Sequence, residues 1–152
     1  MPRALLLLVA ANSLPWLLGR LLRERPATAL DFGLVLPDGR TLFGAHKTWR
    51  GLLAGVLGCT LTAALCGLPW LLGLEFGALS LSGDALSSAL KRRLDIRPGT
   101  EIAGLDQLPE ALLPLTLLRL PLGLDWLDVA VSAAAFTLLD LVAARLRRNV
   151  AA

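Results

Sequence analysis

Residues 51–74 read GLLAGVLGCTLTAALCGLPWLLGL and contain no aspartate, glutamate, lysine or arginine. A helix that crosses the hydrocarbon core of a bilayer needs about 20 such residues. Pro69 and Trp70 interrupt the run, because proline breaks a helix interior. We therefore predict one helix over residues 51–68 and the start of the next at residue 71. A stretch this apolar is typical of a membrane protein.

The whole chain has the same apolar character. Of its 152 residues, 55% are hydrophobic and 18% are charged, whereas a soluble domain has about 25% charged residues. We predict an all-α integral membrane protein, a single transmembrane domain with about five helices over residues 4–19, 51–68, 71–90, 108–124 and 126–144. Polar loops cover residues 20–50 and 91–107. The turn signal Pro37-Asp38-Gly39 predicts a small hairpin in the first loop.

The basic residues predict the orientation in the membrane. All but Arg3 and Arg119 of the 15 lysines and arginines fall in the two loops and the C-terminal tail: Arg20, Arg23, Arg25, Arg40, Lys47, Arg50, Lys91, Arg92, Arg93, Arg97, Arg145, Arg147 and Arg148. The positive-inside rule then places the loops and the C-terminus in the cytoplasm and the N-terminus outside, in a plasma or inner membrane. The alternative start is a signal peptide cleaved after Ala11, which would leave four helices.

Composition also bears on partners. The formal net charge is +3, but in a chain this apolar, clustered cations face anionic lipids or phosphate ligands rather than nucleic acid. Membrane lipids are therefore predicted partners, and nucleic acid is not. Gly51, Gly55 and Gly58 permit close helix packing, which is compatible with a homodimer. Cys59 and Cys66 are interpreted as small buried hydrophobic residues.

The third predicted helix carries polar residues on one face. Asp84, Ser88, Lys91 and Arg92 follow one another at spacings of four, seven and eight residues from the aspartate, and these spacings repeat on one side of a helix. An acid inside an apolar helix is costly, so it is a candidate functional residue. The alternative is a structural ion pair or a polar group that packs between helices.

The two loops supply further polar groups. Residues 47–51, KTWRG, place two cations and a hydroxyl at the mouth of the second helix, where free amides would form an anion site if the helix starts near Thr48. An equally good alternative is that Lys47 and Arg50 only extend their charged ends to the membrane–water interface. In the second loop, Asp106 would pair with Asp84 around Mg²⁺, which prefers carboxylate and phosphate oxygens.

Two other polar residues are interpreted more plainly. Asp140, near the inner end of the fifth helix, is a possible third carboxylate, although a solvated or lysine-paired group at the membrane edge is the favoured interpretation. His46, the single histidine, is interpreted as a solvated loop residue. Carboxylates and cations gathered at one membrane face fit metal-assisted phosphoryl or nucleotidyl transfer, which requires charge neutralisation and alignment.

Together these motifs resemble those of the CDP-archaeol synthase family, which is related to the CDP-diacylglycerol synthases. The resemblance runs from Asn12 to about Gln107 and is carried by Asn12 with Pro15, residues 30–33 (LDFG), 38–40 (DGR), 47–51 (KTWRG), Gly83-Asp84, Ser88, 91–93 (KRR), Pro98-Gly99 and Asp106-Gln107. It implies that CTP reacts with a membrane lipid phosphate to give a CDP-lipid and pyrophosphate, with Mg²⁺ as cofactor.

The resemblance also implies roles for individual residues. Asp84 and Asp106 would hold the metal and act in catalysis with Lys47 and Lys91. The predicted substrate-binding residues are Asn12, Asp31, Thr48, Arg50, Ser88, Arg92 and Gln107.

The chain departs from the family pattern at one position. Where that pattern has Asp-Gln-x-Asp, this chain has Pro109, and Glu110 follows one position late. A catalytically reduced relative or a non-catalytic membrane scaffold is therefore an alternative. A transporter or channel subunit would spread polar residues through the membrane depth, which this sequence does not do.

Overall fold

The computed structural model describes residues 1–22, 27–97 and 100–151, with side chains through residue 146. Five helices follow one another: α1 (Pro2–Leu21), α2 (Trp49–Leu65), α3 (Trp70–Arg93), α4 (Gln107–Leu117) and α5 (Trp126–Ala151). The described residues contain no strand. Arg23, Arg25, Pro98 and Gly99 and the side chains of Arg147 and Arg148 lie outside the described part.

The helices pack in one bundle with α2 and α3 at its centre. α2 contacts α1 and α3, while α4 packs between α3 and α5. Phe76, Phe136, Leu7 and Leu8 are among the fully buried side chains of the core. α3 and α4 approach so closely that a Cβ on Gly83 would lie 2.2 Å from the carbonyl oxygen of Pro109. This contact sets where α4 begins relative to α3.

Length and composition mark two of the described helices as able to cross a membrane. They are Pro2–Leu21 and Trp126–Leu146; α2 is apolar but has only 17 residues. The outward side of α2 carries large apolar side chains, all exposed, at every fourth position: Trp49, Leu53, Leu57, Leu61 and Leu65. We call this row the α2 outer stripe. Lipid is the solvent that such a surface requires.

Helix boundaries follow local chemistry. α2 begins where the Thr48 hydroxyl accepts the N–H of Gly51 at 3.2 Å, which caps the helix. It ends at Leu65, three residues before the predicted end, because Gly67 adopts a φ of +70° and lets Leu68 N–H donate to Ala63 O.

The fourth helix is shorter than predicted. It ends at Leu117, not at residue 124, because turns replace the helix over residues 118–123, where Pro121 and a left-handed Gly123 lie. Conversely, α3 extends through Arg93, and α5 continues past residue 144. The observed α4 therefore has 11 residues instead of the 17 predicted.

The first loop folds back on itself around the predicted turn. Val35 and Thr41 form an isolated antiparallel bridge, and Leu36 N–H donates to Arg40 O at 2.9 Å. Gly39 has a φ of +76°, which suits glycine. A second bridge joins Ala29 to Thr48 at the base of the loop.

Candidate active site

Lys47 and Asp84 form an ion pair between the first loop and α3. Their Nζ and Oδ2 atoms are 2.5 Å apart, and both side chains are about one-quarter exposed. Asp84 lies in the middle of α3, whereas Lys47 lies just before the Thr48 cap of α2. The pair therefore fixes the end of the loop against the polar face of α3.

A second ion pair joins α3 to the second loop. Lys91 Nζ lies 2.6 Å from Asp106 Oδ1 and also donates to Thr100 O at 3.0 Å. Asp106 Oδ2 accepts the N–H of Ile102, but Oδ1 is buried and receives no well-directed hydrogen bond in spite of the nearby ammonium. Asp106 Oδ1 therefore has the Lys91 ammonium as its partner.

Both ion pairs border one open cavity of about 610 Å³. It lies between α1, the first loop, α3, the second loop, α4 and α5. Ten of the eleven predicted site residues line it: Asn12, Lys47, Thr48, Arg50, Asp84, Ser88, Lys91, Arg92, Asp106 and Gln107. The structure therefore brings together side chains that lie up to 95 positions apart in the sequence.

Asp31 is the predicted site residue that does not line this cavity. Its carboxylate accepts the backbone N–H groups of Gly33, Phe43 and Gly44 at 2.9–3.1 Å. Burial raises the pKa of Asp31, but these three N–H groups stabilise the ionised form and hold the pKa below its usual value overall. Asp31 therefore organises the loop that carries Lys47.

Several lining residues are already engaged in local hydrogen bonds. Ser88 Oγ donates to Asp84 O at 3.0 Å, and an Arg50 guanidinium nitrogen donates to Leu22 O at 3.2 Å. Arg92 is only 6% exposed, and its Nε has no hydrogen-bond partner. A buried guanidinium with an unsatisfied donor at a cavity wall is suited to an anionic ligand.

The first loop is clasped to the end of α3 by reciprocal contacts. Arg40 donates to the carbonyl oxygens of Arg92 and Arg93, at 3.3 and 2.7 Å, and pairs with Asp95 at 3.2 Å. Arg93 pairs with Asp38 and donates to Thr41 O. Cations at a helix C-terminus satisfy its free carbonyl groups, so the hairpin turn and α3 form one unit.

Three carboxylic acids outside the predicted site set also line the cavity: Glu101, Glu110 and Asp140. Glu110 is 5% exposed and accepts a hydrogen bond from Asn12 Nδ2 at 3.4 Å, which joins α4 to α1. Asp140 accepts one from Gln107 Nε2 at 2.8 Å, which joins α5 to α4. The signal for Glu110 was its spacing of four from Asp106, since residues four apart share a helix face.

Charge in the cavity wall is mixed. The lining includes four cationic side chains, Lys47, Arg50, Lys91 and Arg92, and five carboxylic acids, Asp84, Glu101, Asp106, Glu110 and Asp140. His46, exposed as predicted, lies at its edge. Over the described residues, no three acidic, histidine or cysteine side chains are close enough to form a metal cage.

Comparisons with known proteins point to one family. A family model described as CarS-like, CDP-archaeol synthase, matches residues 21–75. The CDP-archaeol synthase of Aeropyrum pernix is 40% identical over 143 residues, which cover 90% of this chain and 78% of that protein. The CDP-archaeol synthase of Pyrococcus furiosus is 36% identical over 107 residues, 64% of this chain and 60% of that protein.

A solved structure agrees with these sequence matches. It is described as an intramembrane enzyme for archaeal membrane lipids biosynthesis, and it matches with a TM-score of 0.77 at 34% identity. The match covers 93% of this chain and 90% of the other. With its apolar helices, this similarity shows that the chain is a membrane protein.

Proposed function

This chain belongs to the CDP-archaeol synthase family, and we propose that it is a membrane enzyme that transfers the cytidylyl group of CTP to a lipid phosphate. The relative that establishes membership aligns with 90% of this chain. The observation that carries the proposal is the single cavity that gathers both ion pairs, Lys47–Asp84 and Lys91–Asp106.

The reaction forms one phosphorus–oxygen bond and breaks another. An oxygen of the lipid phosphate attacks the α-phosphorus of CTP, the bond to the bridging oxygen breaks, and pyrophosphate leaves with that electron pair. Both substrates are anionic, so the protein must screen their repulsion and align them. Lys47, Lys91, Arg50 and Arg92 line the cavity in positions to bind phosphate oxygens.

The two ion pairs explain how acids and cations share the cavity. Each pair holds an ammonium that suits a phosphate and a carboxylate that suits a divalent cation. We infer that Lys47 and Lys91 would bind phosphate oxygens of the nucleotide, and that Asp84 and Asp106 would hold the divalent cation. Asp106 Oδ1 faces the Lys91 ammonium and accepts no backbone hydrogen bond, which supports these roles.

The residues fit Mg²⁺ as the proposed cofactor. A triphosphate would add negative charge to a wall whose four cationic side chains are already accompanied by carboxylic acids, so a divalent cation would supply balancing positive charge. Mg²⁺ is commonly held by one or two carboxylates together with substrate phosphates, without a protein cage. When bound, it would neutralise charge on the phosphates.

The substrate is proposed to be an archaeol-type lipid phosphate. The matched relatives are named for archaeol, and the solved structure is described by archaeal membrane lipids. The cytoplasm is the proposed location of the cavity, because the basic loops that border it follow the positive-inside rule. CTP is available on that side.

The test is a reaction of purified protein with CTP labelled at its α-phosphorus. Isoprenoid-ether and acyl-ester lipid phosphates are supplied in separate arms, each with and without Mg²⁺. We expect labelled CDP-lipid and one pyrophosphate per product, with the isoprenoid-ether arm faster and the arms without Mg²⁺ inactive.

A matched pair of variants identifies the site. Asp84→Asn removes a carboxylate from the cavity, and we expect its rate to fall about 100-fold or more, as when several kcal/mol of charge stabilisation is lost. Glu75→Gln makes the same chemical change on an exposed part of α3 and should leave the rate unchanged. Wild-type protein that forms no CDP-lipid in any arm would favour the scaffold alternative.

A further inference from the structure

Three apolar side chains of the first loop point away from the fold. Phe32 is 75% exposed, Leu34 53% and Val35 56%. They follow one another between Asp31, which organises the loop, and the hairpin turn at residues 37–39. We call them the loop apolar patch. An exposed apolar cluster outside the helices indicates a binding surface rather than a core.

The backbone is fixed in a conformation that holds Phe32 in place. Phe32 has a φ of +50°, which is unfavourable for an aromatic residue and persists only where neighbouring contacts impose it. Those contacts are present, since Phe32 N–H donates to Ala29 O and the Asp31 carboxylate binds Gly33, Phe43 and Gly44. The exposure of Phe32 is therefore a built feature of the loop.

The loop apolar patch is continuous with the α2 outer stripe, which is an apolar surface suited to lipid. The ring of Phe32 contacts Trp49, with centroids 6.1 Å apart and planes tilted by 42°. Trp49 is the first residue of the α2 outer stripe, whose leucines extend along the helix. Tryptophan is enriched where a helix leaves the hydrocarbon core, so Phe32 lies at the depth of the lipid headgroups.

We propose that the loop apolar patch enters the boundary between headgroups and chains of the surrounding bilayer and anchors the first loop there. The partner is bilayer lipid, because the patch extends the lipid-covered α2 outer stripe. Phe43, His46 and Lys47 of the same loop line the cavity. In combination with the proposed function, the anchor keeps the cavity mouth against the surface that supplies the lipid phosphate.

Depth is measured with a polarity-sensitive fluorophore on a cysteine. The background is Cys66→Ala, and Cys59 is fully buried and so protected from the label. Phe32→Cys is compared with Pro37→Cys, an exposed position of the same hairpin. Labelled protein is reconstituted in phosphatidylcholine vesicles that contain lipid with a nitroxide near the headgroup.

We expect the label at position 32 to emit at shorter wavelength and to be quenched by the nitroxide, and the label at position 37 to behave as in water. Equal, water-like emission at both positions would overturn the proposal. Equal quenching at both would also overturn it, because the apolar patch would then have no special depth. Neither readout depends on catalysis.

A kinetic experiment tests the consequence for substrate capture. Phe32→Asn removes the apolar ring and suits the positive φ, since asparagine tolerates that region. The KM for lipid phosphate in vesicles should rise roughly fivefold, because half-burying a phenyl side chain favours membrane binding by about that factor. The KM for CTP should stay unchanged. A short-chain lipid phosphate dissolved in detergent should show no change.

The outcomes separate the two proposals. Quenching at position 32 in a protein that never forms CDP-lipid would refute the proposed function and leave the membrane anchor standing. Catalysis with unchanged KM for vesicle lipid in Phe32→Asn would refute the role of the anchor in substrate capture.

Discussion

Gln107 Nε2 donates a hydrogen bond to Asp140 Oδ2 at 2.8 Å and thereby links the first residue of α4 to α5. The other end of the same amide accepts the N–H of Gly104 at 2.9 Å. Gln107 is 2% exposed, and both contacts are partly buried. They fix the segment that presents Asp106 to Lys91.

Removing the Asp140 acceptor on α5 should therefore destabilise the start of α4. We expect Asp140→Ala to lower the free energy of unfolding by about 1–3 kcal/mol, because it leaves a buried amide donor unpaired. Asp140→Asn retains an acceptor oxygen and should lose less. Thermal unfolding in detergent measures both. Equal stability of Asp140→Ala and wild type would contradict the link.

The two lysines of the cavity should differ in their effect on stability. Lys91→Met leaves Asp106 unpaired in a buried environment, where breaking an ion pair costs about 3 kcal/mol. Lys47→Met breaks a pair that is about one-quarter exposed, where the loss is about 1 kcal/mol. Both variants should lose cytidylyltransferase activity. If Lys47→Met were the less stable of the two variants, the greater burial of the Lys91–Asp106 pair would not explain their stability.

The close approach of α3 and α4 makes Gly83 sensitive to any side chain. Gly83→Ala would place a Cβ 2.2 Å from a backbone oxygen of α4 that cannot rotate away. We expect overpacking to lower the free energy of unfolding by about 1–3 kcal/mol. Activity should also fall, because Asp106 and Glu110 would be displaced.

The control for stability is Gly19→Ala in α1, where nothing lies within 4 Å of the added carbon. Alanine is a better helix former than glycine, so the free energy of unfolding of this variant should stay the same or rise by up to about 1 kcal/mol. A Gly83→Ala protein as stable as Gly19→Ala would mean that α4 can shift without penalty.

Acid should loosen the first loop through Asp31. The pKa of Asp31 is lower in the folded protein than in the unfolded chain, so its contribution to stability is complete above the unfolded pKa. That contribution is lost as the pH falls below about 4 through the folded pKa. Thermal unfolding between pH 3 and pH 6 measures the loss. Asp31→Asn should be less stable than wild type at pH 6 and should show a weaker decline towards pH 3.

The sequence predicted which polar side chains gather at one cavity better than it predicted the limits of the helices. Spacing placed Asp84, Ser88, Lys91 and Arg92 on one face of α3, and all four line the cavity. This succeeded because α3 is regular and apolar groups surround the polar face. The helix that contains residues 51–65 was predicted from its uninterrupted run without charged residues.

Other features depend on contacts that pattern alone does not contain. Asp31 matched a family motif and was predicted to bind substrate; its carboxylate accepts loop amides from residues 33–44, and the substrate role stays a prediction. Gly55 and Gly58, interpreted as compatible with a homodimer, face α1 and α3 within the chain. The homodimer stays a prediction without support from these glycines.

The substitution at Pro109 shows where sequence alignment and helix geometry differ. An acid three positions after Asp106 was expected, and its absence suggested a weakened site. In the structure Pro109 faces Gly83 of α3, while Glu110, one position on, lines the cavity. The carboxylic acid is thus present in the wall, one residue further along the first turn of α4.

The brevity of α4 has a consequence for the lipids beside it. Eleven residues of helix extend only about 17 Å, roughly half the thickness of a hydrocarbon core. Beyond Leu117 the chain turns back, and Arg119 donates to Leu124 O and stacks over the ring of Trp126. Such a cation–indole contact favours the polar edge of a membrane, so we expect the bilayer to be thinner beside α4 than beside α5.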